Sequence, residues 1–272
     1  MLARILGFVE LRRFVTPAEL ETALALEYHD NYSAFVFGSW GNSVLLNGTG
    51  DELDCDLRLY EGAARPTKHL RRLPGIRTLV ETCFETERLR WLRLFRQDDG
   101  VLLPHIDFVG MGEGFVRLHV PLLTPTEALH SEEEEVYHMW AGEIWWLEAL
   151  RLHSAGNLSG ATRLSLCADF EPGTAPESLV RKPFRDAGAQ RRPELIRRPP
   201  FTSADRRSLE GLTDKLRQGR TGEVLARLIR FHLERQVTSW AVFEWLDELA
   251  AATGDAQVIE RAREVRRLAV GA

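Results

Sequence analysis

Apolar and polar residues alternate strictly over residues 53–59, in the run LDCDLRL. Period two is the signature of a half-buried strand, and it sets Asp54, Asp56 and Arg58 on one face and Leu53, Cys55, Leu57 and Leu59 on the other. Upstream, Phe35, Val36 and Phe37 form a β-prone run that stops at Gly38-Ser39, and Asn47-Gly48-Thr49-Gly50-Asp51 is a turn leading into the alternating segment. Thr16-Pro17-Ala18-Glu19 has the residues of a helix start, so a helix over LETALALEY precedes the first strand. Residues 66–95 carry leucines, arginines and aromatics at roughly helical spacing, broken at Pro74-Gly75, and predict helix on the back of a sheet. Residues 101–109 and 115–120, joined by the glycine-rich stretch 110–114, predict a β-hairpin. Its first arm shows His105 and Asp107 on one face and Ile106 and Phe108 on the other, with Pro104 marking an edge or bulge.

The pattern changes after Thr124-Pro125-Thr126. Val136, Trp140, Ile144, Leu147 and Leu150 recur with a period near 3.6, and Ser131 with Glu134 forms a capping pair, which together predict a long helix over 131–153. A second helix is expected over 161–167. Residues 171–201, rich in proline, arginine and glycine, read as a long irregular connection. Helices are then expected over 203–218, 221–236, 239–253 and 255–268. The domain organisation expected is therefore residues 1–127 followed by residues 128–272.

With 272 residues, 44% hydrophobic and 28% charged, the chain is long enough for two domains with real cores. A net charge of −5 gives no general attraction to nucleic acid or to an anionic membrane, and no apolar run approaches a membrane span. The N-terminal residues do not have the pattern of a signal peptide, which makes the cytoplasm the default compartment. Cys55, Cys83 and Cys167 are odd in number and lack metal-ligand spacing, so they suit reduced thiols; neither a zinc site nor a disulfide framework is indicated.

The candidate chemistry lies in the aspartates. Two carboxylates about 7 Å apart along a strand repel each other unless a cation sits between them, so Asp54 and Asp56 suit a divalent metal. An apolar strand ending in Gly38-Ser39, the aspartate pair on an alternating strand, and Asp107 on a later one resemble the DNA polymerase β-like nucleotidyltransferase superfamily over about residues 30–110. The layout of helix, catalytic domain and helical C-terminal part is similar to the antibiotic nucleotidyltransferases of the lincosamide and aminoglycoside 6-adenylyltransferase types. That resemblance implies an α+β fold: an N-terminal mixed β-sheet domain flanked by helices, then a C-terminal all-α bundle forming the acceptor side of a cleft. It implies that Gly38 and Ser39 hold a triphosphate, that Asp54 and Asp56 coordinate Mg2+, and that Asp107 is a third metal ligand or base. Arg58 is a candidate for phosphate contact, and Glu143 for a general base taking the acceptor's proton. His105 is read as a neighbour of Asp107 rather than a catalyst. Trp40-Gly41 after the serine and the long loop before Asp54 depart from the superfamily's commoner pattern.

The function expected is Mg2+-dependent transfer of a nucleoside monophosphate, AMP from ATP, to a hydroxyl of a small-molecule acceptor such as an antibiotic. The alternatives weighed are a protein-modifying nucleotidyltransferase of toxin-antitoxin type and an inactive nucleotide-binding scaffold. Partners expected are a small molecule, no nucleic acid and no membrane. Either a monomer or a homodimer is compatible, the latter through an exposed tryptophan face on the helix over 131–153.

Overall fold

A computed structural model describes residues 3–31, 33–107 and 115–271 of the chain. The strands are β1 (Arg4–Phe8), β2 (Val36–Asn47), β3 (Arg65–Pro66), β4 (Leu89–Leu102), β5 (Val116–Leu123), β6 (Ala128–Glu132), β7 (Glu135–His138), β8 (Glu143–Leu147), β9 (His153–Asn157), β10 (Arg163–Phe170) and β11 (Glu194–Leu195). They form one curled sheet in the order β1-β8-β5-β10-β4-β9-β6-β7-β11, with β2 joining β4 and β3 joining β2. Every pairing between these strands is antiparallel. The sheet is a half-barrel whose strands come from both sides of residue 127.

Three long strands carry the architecture, and each alternates between an apolar and a polar face. In β10, Leu164, Leu166, Ala168 and Phe170 enter the main core, together with Leu92 and Leu94 of β4 and Leu118 and Val120 of β5. Helix Pro74–Cys83 packs its Ile76, Leu79 and Val80 against that face. On the opposite face stand Arg163, Ser165 and Asp169 of β10, Arg93 and Gln97 of β4, and Arg117 and His119 of β5, all buried. Burying that many polar groups is costly unless they are paired or serve a ligand, so this inner face marks the interior of the half-barrel as the site.

The bend that closes the half-barrel is made by two glycines. Gly38 of β2 faces Gly100 of β4 in register, with φ of 128° and 121°. A Cβ on Gly38 would lie 2.5 Å from the Asp99 carbonyl oxygen, and one on Gly100 would lie 2.5 Å from that of Phe37, so neither position has room for a side chain. Beyond the bend, Gly100 and Val101 of β4 pair with β9 instead of β10. The far wall of β9, β6 and β7 then packs on the C-terminal helices through a second core that includes Leu129, Val136, Phe231 and Trp245.

The expected layout is corrected in several places. Residues 128–170 are strands rather than the start of an all-α bundle, so the fold is a curled antiparallel sheet with helices and not a nucleotidyltransferase layout. The helix expected over 131–153 is replaced by β6, β7, β8 and the start of β9, and the helix over 161–167 by β10. β4, which ends at Leu102, does not pair with β5 as the expected hairpin requires, because β10 lies between them; residues 108–114 of that hairpin fall outside the described residues. The C-terminal helices Ser203–Glu210, Thr213–Arg217, Thr221–Glu234, Ala241–Thr253 and Ala256–Val270 fall close to their expected spans. No helix among the described residues is long and apolar enough to cross a membrane.

One buried group in these helices makes stability depend on pH. His232, on Thr221–Glu234, is pushed down to about 4 by burial and by the neighbouring Arg198. Its folded pKa lies below the unfolded value near 6.5, so between those limits the unfolded chain binds more protons and stability rises with pH. Urea unfolding should show roughly 3 kcal/mol of stability from this group lost as pH falls from about 6.5 to about 4. His232→Gln should flatten the profile by about one proton; an unchanged profile in that variant would refute the assignment.

Candidate metal centre

The chain leaving β4 carries His105 and Asp107, two residues apart and therefore on one side of an extended backbone. An antiparallel bridge, His105 N–H to the His153 carbonyl at 2.9 Å and His153 N–H to the His105 carbonyl at 3.0 Å, brings the start of β9 alongside. Asp107 is held by its own N–H donating to the Ala149 carbonyl at 2.9 Å. The two imidazole rings lie 4.3 Å apart.

Backbone carbonyls fix which nitrogen of each ring faces inward. His105 Nδ1 donates to Leu103 O at 2.8 Å and His153 Nδ1 to Arg151 O at 2.9 Å. Because a carbonyl can only accept, each neutral ring is left with its lone pair on Nε2. Those atoms face the same carboxylate, His105 Nε2 at 3.4 Å from Asp107 Oδ1 and His153 Nε2 at 3.6 Å from Oδ2. Two lone pairs aimed at an anion repel it unless a cation sits among them. The donor atoms of His105, Asp107 and His153 lie within 4.8 Å of one another, the one such grouping found among the described residues.

Protonation states suit the same purpose. Burial pushes the His153 imidazole down to about 4, reinforced by His105, so it is neutral near pH 7. Burial alone would raise the Asp107 carboxyl, but Arg117, with His105 and His153, overrides it and holds the group well below the usual carboxylate range. Two imidazoles and a carboxylate form a mixed nitrogen and oxygen set that suits a transition-metal dication and leaves coordination positions open. Magnesium, which prefers an all-oxygen shell, is a poor match, and this corrects the expected Mg2+ and ATP pairing.

The same cavity is lined by Arg163, His130, Ser165, Gln97, Trp40 and Phe95. Arg163 is buried, its Nη1 has no hydrogen-bond partner, and no carboxylate pairs with it among the described residues. Burial lowers its guanidinium to about 10, opposed by Tyr137. The Tyr137 hydroxyl and both ring nitrogens of His130 also lack partners, and the two rings lie 5.4 Å apart. A buried guanidinium without a counter-ion is a site for a carboxylate, since an anion offsets the cost of leaving that cation dry. Elsewhere in the cavity, the Trp40 ring lies tilted against Phe95 at 5.1 Å, and Phe95 lies 6.0 Å from His119. Trp40 Nε1 and Gln97 Oε1 are without partners there, one a donor and one an acceptor.

Of the residues singled out from sequence, Asp107 alone enters this cluster. Asp54 and Asp56 sit on an irregular loop rather than a strand; the loop lays Cys55, Leu57 and Tyr60 on Val44, Trp91 and Phe115, exposes Asp56 and leaves Asp54 half-buried. Asp54 is engaged by Arg58, whose Nη1 and Nη2 donate to it at 2.7 and 2.8 Å, so Arg58 balances an aspartate. Leu53 and Leu59, expected in the core, are exposed. Gly38 makes the sheet bend, and Ser39 Oγ is 3.5 Å from Asp98 on the exposed side of β2. Glu143 is buried in β8, accepting from Trp140 N and Trp145 Nε1 at 2.9 Å, and lies outside the cavity lining. Trp145 is buried in the core and Trp146 lies under Arg4, so no tryptophan face of a helix exists. His105, read as a bystander, and His153, Arg163, Arg117 and Asp169, passed over entirely, form the site. The signal available was the buried-strand alternation of RLSLCADF, which places Arg163, Ser165, Cys167 and Asp169 on one face.

Comparison with known proteins agrees with this geometry. Residues 18–172 match the family described as aspartyl/asparaginyl beta-hydroxylase, and residues 176–272 match the C-terminal region of L-proline 3-hydroxylase. The chain is 32% identical to L-proline cis-3-hydroxylase 1 of Streptomyces sp over 100% of its own length and 96% of that protein. It is 29% identical to L-proline cis-4-hydroxylase of Rhizobium meliloti (strain 1021), again over 100% and 96%. Among solved structures, an oxidoreductase of the 2OG-Fe(II) oxygenase family from Burkholderia pseudomallei aligns with a TM-score of 0.41 at 10% identity, over 62% of this chain and 81% of that one. These matches overturn the nucleotidyltransferase resemblance and the adenylyl transfer, antibiotic acceptor and ATP that it implied: the chain belongs to the aspartyl/asparaginyl beta-hydroxylase family.

Proposed function

We propose that the protein is an iron(II)- and 2-oxoglutarate-dependent hydroxylase of a free amino acid, with L-proline as the first candidate substrate. The observation that carries this reading is the pairing, in one cavity, of the His105, Asp107 and His153 donor set with the buried, unpaired Arg163. Two histidines and one carboxylate are the donor set of non-haem iron(II) oxygenases. Iron(II) bound there would supply the activation of dioxygen that couples loss of CO2 from 2-oxoglutarate to insertion of one oxygen atom into a substrate C–H bond, leaving succinate.

The chain's own residues do the rest. His105 and His153 present their Nε2 atoms, each ring held in place by a backbone carbonyl at Nδ1. Arg163, with the Tyr137 hydroxyl, holds the far carboxylate of the dicarboxylate co-substrate, giving the buried cation its missing anion. Trp40, Phe95 and His119 form an aromatic wall for a small apolar ring, while Gln97 Oε1 accepts from its amine. Closing these groups over the substrate excludes water from the reacting centre. The names of the full-length relatives, L-proline cis-3- and cis-4-hydroxylases, support L-proline. The small-molecule partner expected from sequence carries over as a substrate rather than a hydroxyl acceptor. The three free cysteines, two of them buried, support a reducing, cytoplasmic setting.

Incubating the purified protein with iron(II), 2-oxoglutarate and each protein amino acid in turn, with mass detection of product, tests the proposal. The expected result is a gain of one oxygen atom on L-proline with an equal yield of succinate, and none on a short peptide carrying Asp or Asn. Oxygenation of the peptide alone would refute the free-amino-acid reading, and no substrate-dependent succinate at all would refute the hydroxylase.

A further inference from the structure

The inner face of the half-barrel holds a chain of buried charges that leads away from the metal ligands. Asp169 of β10 has a completely buried side chain, with Oδ2 2.5 Å from Arg93 Nη2 and Oδ1 2.7 Å from Arg117 Nε. Arg117 in turn donates through Nη1 to Asp107 Oδ2. Strand register builds this order, since Asp169 lies opposite both Trp91 of β4 and Arg117 of β5, and Arg93 lies one inward-facing position further along β4. Arg117 thus bridges two carboxylates, one in the cavity and one behind it.

We propose that Asp169 is the positioning residue of the metal centre: acting through Arg117, it orients the Asp107 carboxylate and offsets the arginine charge that competes with a cation for it. This rests on the reading that His105, Asp107 and His153 hold a metal. The geometry assigns the two oxygens of Asp107 different work. Oδ2 accepts from Arg117 and lies 3.6 Å from His153 Nε2, whereas Oδ1 faces His105 Nε2 at 3.4 Å, so Arg117 engages one of the two oxygens that the imidazoles face. The charges agree: Arg93 and Arg117 both engage Asp169, and Arg117 also engages Asp107, so removing the Asp169 charge takes away the carboxylate that these two guanidinium groups share. Arg117, released from Asp169, then competes more strongly with the metal for Asp107. Partners behind a ligand commonly change metal affinity by about 10- to 100-fold.

The test is Co(II) binding to the metal-free full-length protein, followed by calorimetry and by the visible absorption of the bound ion, with circular dichroism to confirm folding. Asp169→Asn should raise the Kd for Co(II) about 10- to 100-fold and alter the absorption band, while Asp169→Glu restores part of the affinity. A folded Asp169→Asn protein that binds Co(II) with native affinity and a native spectrum overturns the proposal. Should Asp169→Asn fail to fold, Arg117→Lys decides: a single-point ammonium cannot bridge both carboxylates, so affinity should fall in the same way, and unchanged affinity overturns the proposal. His153→Ala is the control for the underlying reading. If it binds Co(II) as the native chain does, the metal centre itself falls and the role of Asp169 with it, whereas loss of binding in His153→Ala with no change in Asp169→Asn removes Asp169 alone.

Discussion

His153→Ala should leave the protein folded and lower hydroxylation by about a thousandfold or more. The backbone bridge between residues 105 and 153 does not use the ring, and the imidazole's one hydrogen bond is to a local carbonyl, so truncation spares the scaffold. On the proposed reading it removes one of three donors to a metal. A catalytic metal contributes several kcal/mol of transition-state stabilisation, and each ~1.36 kcal/mol is a factor of ten in rate. Asp54→Asn and Asp56→Asn should stay within about twofold of native activity, because both lie on the loop of residues 51–60 and neither lines the cavity. The comparison separates the two sites the chain offers. Steady-state rates on the three purified variants would decide it, and a collapse in the loop variants with native activity in His153→Ala would place the chemistry on the loop.

Arg163→Met should raise KM for 2-oxoglutarate by about 100-fold, because removing one partner of a buried charge pair costs roughly 2–5 kcal/mol. The same substitution should not lower the melting temperature of the protein without ligand. Arg163 is buried there without a counter-ion among the described residues, and replacing an unpaired buried cation by an apolar side chain of similar length relieves desolvation. That combination, weaker co-substrate binding with equal or higher stability, is what distinguishes a ligand-binding arginine from a structural one. Tyr137→Phe should show a smaller rise in KM, about tenfold, for the loss of one hydrogen bond to a charged group. KM values together with melting curves without ligand provide the check; a native KM in Arg163→Met, or a sharp drop in its stability, would mean that the arginine holds the sheet together instead.

The readable parts of this fold were those with a single period. The C-terminal helices carry one apolar stripe each, and Thr16 caps Pro17–Leu24 by accepting from Glu19 N–H as the sequence suggested. Strands covered on both faces were harder. In β8 the run Glu143, Ile144, Trp145 is buried throughout, so period two disappears and Val136, Trp140 and Ile144 mimic a helix. The turn residues Glu133 and Gly142, with φ of 53° and 83°, break that apparent helix, but glutamate is an unusual residue there and carried no warning. The alternation over residues 53–59 was correct in part as a burial pattern and wrong as a strand. Cys55 and Leu57 do pack inward, yet the segment has no strand partner and is shaped by Asn47 Nδ2, which donates to the carbonyls of Asp51 and Asp54.

The site was least legible because its members come from distant stretches. His105 and Asp107 are two residues apart and visible as a pair, but His153 and Arg163 join them only when β9 follows the bend at Gly38 and Gly100. A carboxylate next to a histidine on an extended segment is common, and without the third ligand it says little about iron. Asp54 and Asp56 looked more like chemistry because exposed acids near glycine turns resemble a metal loop, whereas the functional polar groups lie on strands whose other face is fully apolar. A strand with Arg, Ser, Cys and Asp on its inward face, as in RLSLCADF, is the pattern that deserved the weight.

The central claim is that this cavity splits dioxygen between an amino acid and a 2-oxoacid, and isotopically heavy dioxygen measures that directly. With iron(II), unlabelled 2-oxoglutarate and L-proline in ordinary water, the account predicts one heavy oxygen atom in hydroxyproline and one in succinate, in equal yield. Hydroxyproline that takes its oxygen from water, or that forms without 2-oxoglutarate, would contradict it.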